Sequence, residues 1–502
     1  MRAELKLKEP ATRFKEYTFK EFYAVNPPFA YVAIVKDKRG FLKYLVIEPY
    51  LNEIEKKALE EVKRIFLDFV ETSVKMPSEV KSKAFIRETV AKIIKKFGIK
   101  IPRPAIHKIT YYVERDFFGY ERIDPMIRDE NLEDISCDGV GIPVYVWHKY
   151  YESIPSNVVF ETEEELEAMI HRLAYKAGKH ISIAKPILEG SLPEGFRIHL
   201  TLKEVSMRGG TFTIRKFRAV PFTIIDLISL NTVSPELAAY FWLAVDNMRT
   251  IIISGATAAG KTTMLNAIAT FIRPELKIVT IEEVPEIRLP HENWIPLITR
   301  PSTEAGVENI TLFDLLKSAL RQRPDYIIIG EVRGEEAFTL FQAIASGHAG
   351  MCTIHAESCE AAVMRLQARP MNVPPELIPF ANVFVQMVRH KLGDRAVRRV
   401  YEVYEVIGYD RVRGEVKMRK VFKWDARRDI FVKVGESELL KRIAERNFVT
   451  LNEIMEEWKR RADILRILAL KKIKSFDEVA EIISKYYRSP RETYASLKIM
   501  TV

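Results

Sequence analysis

The chain has 502 residues, 47% of them hydrophobic and 29% charged, with a formal net charge of +10. This is enough apolar material for large buried cores in a soluble protein, with a prior of about three domains. Apolar runs such as residues 29–35 fall far short of the roughly 18 to 20 residues that span a bilayer, and the charged start, Met1-Arg2-Ala3-Glu4, lacks an apolar signal core.

These features lead us to expect a cytoplasmic protein. Cys137, Cys352 and Cys359 form no C-x-x-C pair, so they read as small buried hydrophobes rather than a disulfide framework or zinc cluster. The positive balance suits an anionic membrane surface or nucleic acid. Most basic residues nevertheless alternate with acids, as over residues 53–64, and read as a salt-laced surface. Gln occurs only at positions 322, 342, 367 and 386 while Lys, Arg and Glu abound, a tilt that resembles thermophile proteins.

In chain order, residues 29–35 and 41–47 predict two strands joined as a hairpin across 36–40. Residues 51–72 and 80–97 carry apolar side chains at helical spacing. Gly98, Pro102 and Pro104 then break the chain and predict a boundary near residue 104, ending a first α+β subdomain over 1–104. A second α+β domain is expected over 105–218. In it, 109–115 reads as a strand, a capping box of Thr162 and Glu165 opens a helix, Gly209-Gly210 makes a turn, and 195–200 and 210–215 are β-like and basic. Residues 219–234 read as a linker, and Ser234-Pro235 as a helix start. From 235 onward β-like runs at 250–254, 278–281, 326–330, 350–354 and 383–388 alternate with helical ones. That alternation predicts a doubly wound, mainly parallel α/β core. An extension from about 406 to 502 begins with β-like stretches at 415–424 and 430–434 and ends in helices over 436–446, 451–470 and 476–486.

The most specific signal is Gly255-Ala256-Thr257-Ala258-Ala259-Gly260-Lys261-Thr262-Thr263. It follows an apolar run and precedes a helical stretch, the order a phosphate-binding loop requires. Its glycines let backbone N–H groups close on a phosphate at a helix N-terminus. Lys261 supplies a charge for the β- and γ-phosphates, and the Thr262 hydroxyl suits Mg²⁺. Hydrolysis also needs an acid to position water. Glu331 follows the strand 326–330 at the C-terminal end of the sheet, where ligands of open α/β folds sit. Glu282, Glu283 and Glu286 follow another strand, suited to holding Mg²⁺ waters or ordering the nucleophile. His348 and His355 lie seven residues apart about one strand, which sends them to opposite faces or ends and argues against a shared metal. His355 is placed to donate to a γ-phosphate.

Together these motifs resemble the type II/type IV secretion ATPases, specifically the archaeal GspE-like secretion, pilus and archaellum motors. The likeness rests on the P-loop, the acidic box over 280–286, the Walker B region over 321–333 and the His box over 347–355, in matching order across roughly 190–405. Tracts 192–197 and 208–217 also look like the family's pre-linker segment. The resemblance implies a RecA-like motor domain behind N-terminal α+β domains, and a homohexamer that binds ATP and Mg²⁺ between the two lobes. It implies hydrolysis coupled to assembly or secretion of pilin-like substrates at a polytopic inner-membrane platform protein, with peripheral attachment to the cytoplasmic membrane. By that likeness Glu331 is the general base and His355 a γ-phosphate contact, while Arg197, Arg208, Arg215 and Arg218 are candidates to reach the phosphates from the mobile lobe or a neighbouring subunit. Glu283 stands where many relatives carry Asp, and the tetracysteine zinc module of many bacterial members is missing, which fits the archaeal branch. A nucleic-acid-translocating RecA-like motor is the alternative. It lacks a basic stripe interleaved with aromatics, and ATPase stimulation by DNA or RNA would distinguish it.

Overall fold

The computed structural model describes residues 17–72, 83–216, 220–300, 308–393 and 395–499. The chain divides into two compact units, Met1–Arg218 and Ala219–Val502, each with its own nine-stranded sheet.

The first unit opens with strands β1 (Thr18–Asn26), β2 (Ala30–Lys36) and β3 (Leu42–Ile47), paired as an antiparallel meander. The β2–β3 hairpin lies where the sequence places it. Asp37 Oδ1 accepts the N–H groups of Arg39 and Phe41, and Gly40 takes the left-handed conformation (φ 84°) that closes the turn. Helices α1 (Glu53–Thr72), α2 (Lys83–Lys96) and α3 (Arg103–Phe117) then form a small core of their own, with Val62, Phe66, Val90, Ile109 and Val113 buried.

Helix α3 corrects two expectations. The β-branched and aromatic run at 109–115 is helical, because Ala105, Ile109 and Val113 recur every fourth residue and bury one stripe. Pro104 starts this helix rather than ending a domain. The expected boundary near 104 therefore falls at the first turn of an element packed against α1 and α2.

A short helix α4 (Asp124–Arg128) precedes β4 (Leu132–Cys137), β5 (Pro143–His148) and β6 (Glu152–Val159). Helix α5 (Glu163–Lys176) follows; Thr162 caps it by accepting Glu165 N–H, as the sequence predicts. The unit closes with β7 (Ile187–Ser191), β8 (Arg197–Thr201) and β9 (Thr211–Arg215), giving the order β1-β2-β3-β6-β5-β4-β9-β8-β7. The meander β1–β3 joins the rest through β3–β6, where the Asn157 side chain accepts Val46 N–H and donates to Val46 O.

The second unit starts with α6 (Ile224–Ser229), capped by Thr223 and Asp226. Its Ile224, Ile225 and Leu227 are buried in the core of this unit. Residues 220–234 are thus part of the second unit rather than a free linker; 219 lies outside the described residues. Helix α7 (Pro235–Asp246) is capped by Ser234 and buried almost all round, with Trp242 stacked on Phe271. Then come β10 (Ile251–Gly255), α8 (Lys261–Ala269), β11 (Ile278–Glu282), β12 (Trp294–Ile298), α9 (Leu312–Leu320), β13 (Tyr326–Ile329), α10 (Glu336–Ala345), β14 (Ala349–His355), α11 (Cys359–Gln367) and β15 (Val383–Leu392). These six strands are parallel in the order β12-β11-β13-β14-β10-β15. Strands β10, β11 and β13 are buried at every position, as in a sheet covered on both faces.

The sheet continues as an antiparallel meander through β16 (Arg395–Asp410), β17 (Glu415–Asp425) and β18 (Ile430–Lys433). The sequence showed β17 and β18 but not the sixteen-residue β16, which crosses the expected start of the extension. Helices α12 (Glu438–Arg446), α13 (Leu451–Leu470), α14 (Phe476–Arg488) and α15 (Pro490–Ile499) join the core of this unit, with α13 packed along α7. Among the described residues no helix is long and apolar enough to cross a membrane.

Candidate nucleotide site

Strand β10 carries Ser254 and Gly255 to the C-terminal edge of the parallel sheet, beside His355 on β14 and Met387 on β15. The loop that follows leaves no room for a side chain on its first glycine and little on its second. A Cβ on Gly255 would lie 2.6 Å from Met387 O, and one on Gly260 3.2 Å from Arg398 Cδ, at a left-handed φ of 87°. Ala258 also has a positive φ of 59°. These bends turn the loop around its own interior and start α8 at Lys261. Lys261 is buried and donates to Ala256 O at 2.9 Å, so its ammonium spans the concavity. Thr262 and Thr263 are half-buried on the first turn of α8.

Polar groups run in an unbroken line from this lysine. Lys261 Nζ is 3.4 Å from His355 Nδ1, and His355 Nε2 is 3.3 Å from Glu331 Oε1. Arg333 Nη2 is 3.0 Å from Glu331 Oε2 and 3.4 Å from Glu283 Oε2. With Lys261 donating, His355 takes the tautomer with its proton on Nε2, facing the carboxylate. Burial, followed by the Lys261 charge, holds the imidazole below its ordinary pKa. Burial also lowers Lys261, against the pull of Glu331 and Glu286. The Glu331 carboxylate strengthens the proton hold of Arg333. His348, at the other end of β14, contacts Ala343 O through Nδ1.

The segment after β13 is fixed from below. Glu336 Oε1 accepts Arg333 N–H at 2.7 Å and Gly334 N–H at 2.8 Å, and Thr353 Oγ1 donates to Gly330 O. Glu282 is used in a comparable way, which narrows its expected metal role. Its Oε1 accepts the N–H groups of Glu286 and Ile287, both at 3.0 Å, so it shapes the acidic turn that presents Glu283 and Glu286. Burial lifts its pKa to about 7.

That value predicts a pH dependence. The folded state holds the Glu282 proton above the unfolded value near 4.5, so this group's contribution to stability falls as pH rises from about 4.5 to 7. Glu282→Gln lacks that term. Its melting temperature relative to wild type should climb across this window and level off above it, while parallel curves would show that Glu282 ionises normally.

Arg333 and Arg398 are site residues that sequence reasoning did not assign. Arg333 lies inside the run that carries Glu331. Arg398 had no local signal, because it comes from β16 and reaches Ala258 O through Nε at 2.9 Å. Arg398→Ala should loosen the loop by about 1–2 kcal/mol, read as a roughly 5- to 30-fold rise in nucleotide Kd by titration calorimetry. An unchanged Kd would leave Arg398 without a part in binding.

The basic candidates of the first unit separate into two places. Arg197 and Arg215 are cross-strand partners on β8 and β9, both exposed, and ion-paired with Glu189 and Asp134 respectively. Arg208 is exposed in the β8–β9 connection, at the opposite end of that hairpin. Arg218 lies outside the described residues.

The parallel sheet, glycine cradle and buried lysine together define a P-loop α/β protein. Residues 132–427 match the family described as "Type II/IV secretion system protein", and the chain belongs to that family. It is 35% identical to the uncharacterized protein MJ0900 of Methanocaldococcus jannaschii, over 94% of this chain and 89% of that protein. It is 31% identical to the type IV secretion system protein PtlH of Bordetella pertussis, over 57% and 94%. Among solved structures it is similar to the VirB11 ATPase of the Brucella suis type IV secretion system. The match there is 26% identity, 56% of this chain and 91% of that one, with a TM-score of 0.29.

Proposed function

We propose that this chain is an ATP-hydrolysing motor of the secretion and filament-assembly type, working as a hexamer at the cytoplasmic face of a membrane. The observation that carries this reading is the line from Lys261 through His355 to Glu331 across the mouth of the glycine cradle. In this reading the loop N–H groups and Lys261 hold the β- and γ-phosphates, with Lys261 exchanging Ala256 O for phosphate oxygens. Glu331 orients the attacking water and takes its proton, and His355 donates to the γ-phosphate.

Thr262 would hold Mg²⁺ together with phosphate oxygens and waters, helped through water by the acidic turn, which fits an ion that keeps much of its own shell. When bound, the ion supplies charge neutralisation on the leaving phosphate. Among the described residues no group of three or more His, Cys, Asp or Glu is placed to cage a metal, as such phosphate-shared binding allows.

Arg197 and Arg215, with Arg208 or Arg218, are proposed to complete the site from the first unit of the same or a neighbouring subunit. Closure over the nucleotide would then be the mechanical output, passed to a polytopic membrane platform protein and through it to pilin-like or secreted substrates. The name of one relative supports this class: PtlH is a type IV secretion system protein.

The test is steady-state phosphate release from the purified full chain with ATP and Mg²⁺. Turnover raised by membranes that contain a platform protein supports the reading. Turnover raised by DNA or RNA and abolished by salt would replace it with a nucleic-acid motor.

A further inference from the structure

The end of the second unit opposite the P-loop carries a group of charges that the motor chemistry does not use. Arg249 stands two residues before β10, at the base of the strand whose top becomes the phosphate loop. Its Nε is buried with no hydrogen-bond partner. Arg442 and Arg446 lie one turn apart on α12, so both project from one side of that helix. The end of α12 is tied to the turn before Arg249 by Asn447 Nδ2, which donates to Asn247 Oδ1 at 2.6 Å. Burial first, and then the charges of Arg446 and Arg442, weaken the hold of Arg249 on its proton. Among the described residues none of the three arginines forms an ion pair. The closest acid in sequence, Asp246, is taken by Arg273 and Arg461. Three guanidiniums with no acid in an ion pair with them repel one another and favour an anion from outside, although Arg442 Nη2 is itself held on Ile407 O at 2.8 Å.

The same corner displays apolar side chains. Helix α12 ends with Phe448 N–H on Glu445 O and Val449 N–H on Ala444 O, which is the Schellman closure. Its left-handed position, normally glycine, is filled by Phe448 at φ 56°, with the ring 97% exposed. Val449 and Leu451 beside it are 38% and 37% exposed. The Phe448 ring, fully in water, adds no buried surface to this fold, and beside these arginines it offers an apolar anchor for a charged partner.

We propose that Arg249, Arg442, Arg446 and the Phe448–Val449–Leu451 tip form a docking surface for an acidic, partly apolar segment of a partner protein. Carboxylates of that segment would pair with the guanidiniums, and an aliphatic or aromatic residue would pack on Phe448. A lipid surface fits less well. Glu445 and Glu453 flank the tip, both exposed, and would repel a continuous plane of anionic headgroups, whereas a single segment can set its carboxylates on the arginines and clear of both glutamates. The half-buried Arg249 also suits the narrow reach of a side-chain carboxylate. The surface lies at the foot of the strand that ends in the phosphate loop, so a partner held there sits at the other end of the element that carries the nucleotide site. This inference does not depend on hydrolysis.

The test uses the full chain and a short fluorescein-labelled peptide of alternating Asp and Leu, with an Asn/Leu counterpart, read by anisotropy. The Asp peptide should bind, the Asn peptide about tenfold more weakly, and Arg446→Glu and Phe448→Ser should each cost about tenfold in affinity. Both side chains are exposed, so melting temperature and basal ATP turnover should stay as in wild type, and either variant alone suffices if the other misfolds. Equal binding of the two peptides, or variants that bind like wild type, would overturn the proposal. So would loss of phosphatidylglycerol-vesicle binding in the variants, which would assign the surface to membrane. A change in the sedimenting species would assign it to contacts between copies of this chain.

Discussion

Glu331→Gln should bind ATP as wild type does and hydrolyse it about 10²- to 10⁴-fold more slowly, a barrier increase of about 2.7–5.5 kcal/mol. The substitution keeps the side chain's length and volume. Its amide oxygen still accepts from Arg333 Nη2, which lies 3.0 Å from Glu331 Oε2 in the wild type. The cradle, Lys261 and the Glu336 contacts that fix residues 333 and 334 are untouched. What disappears is a basic oxygen able to take a proton from water. Single-turnover hydrolysis together with titration of a fluorescent ATP analogue separates the two effects. Turnover within a few-fold of wild type would remove Glu331 from the role of base. Loss of binding and hydrolysis together would make it a binding residue. Glu331→Asp sharpens the comparison, because it keeps the carboxylate but withdraws it by one methylene from both His355 and Arg333. An intermediate loss is expected.

Much of this site was legible because its parts are local. A phosphate loop is a run of nine residues between a strand and a helix, and β13 announces itself through Ile327, Ile328 and Ile329 immediately ahead of Glu331. Both signals survive without knowledge of the rest of the fold. What sequence could not show depends on long-range pairing. Arg398 reaches Ala258 because β16 lies beside β15, which lies beside β10, and β16 has half-exposed positions that give no clean alternation. Glu282 looked like a free acid because the groups that donate to it are backbone N–H groups four and five residues on, a turn with no sequence mark. The error at 109–115 has the opposite cause. Ile109, Thr110, Tyr111, Tyr112 and Val113 have strand propensity, but packing against α1 and α2 outweighs an intrinsic preference worth only tenths of a kcal/mol per residue, up to about 1. The linker failed similarly: Pro221 suggested a break, yet Ile224, Ile225 and Leu227 are core.

Removing the lysine charge should have the largest effect on binding. Lys261 is held partly out of water, and its ammonium donates to Ala256 O and lies at a long 3.4 Å from the His355 ring nitrogen. Exchange of those neutral acceptors for phosphate oxygens gains charge-assisted hydrogen bonds at a site where desolvation has already been met by folding. Lys261→Met keeps the apolar stem and deletes the charge, so ATP affinity should fall by about 2–4 kcal/mol, roughly 30- to 1000-fold in Kd. A second readout is independent of ATP. The Lys261 charge is one of the forces that depress His355, so its removal should raise the imidazole's pKa toward the ordinary value, seen by NMR titration of labelled histidine. The sign carries into stability. A depressed histidine contributes stability that is present above its unfolded pKa near 6.5 and lost as pH falls through the folded value. Lys261→Met should lose less stability than wild type on acidification below about 6.5. Unchanged ATP affinity would refute the phosphate role of the loop. A fixed His355 titration with weakened ATP would mean that lysine and histidine act separately, and the line from Lys261 to Glu331 would then be geometry without coupling.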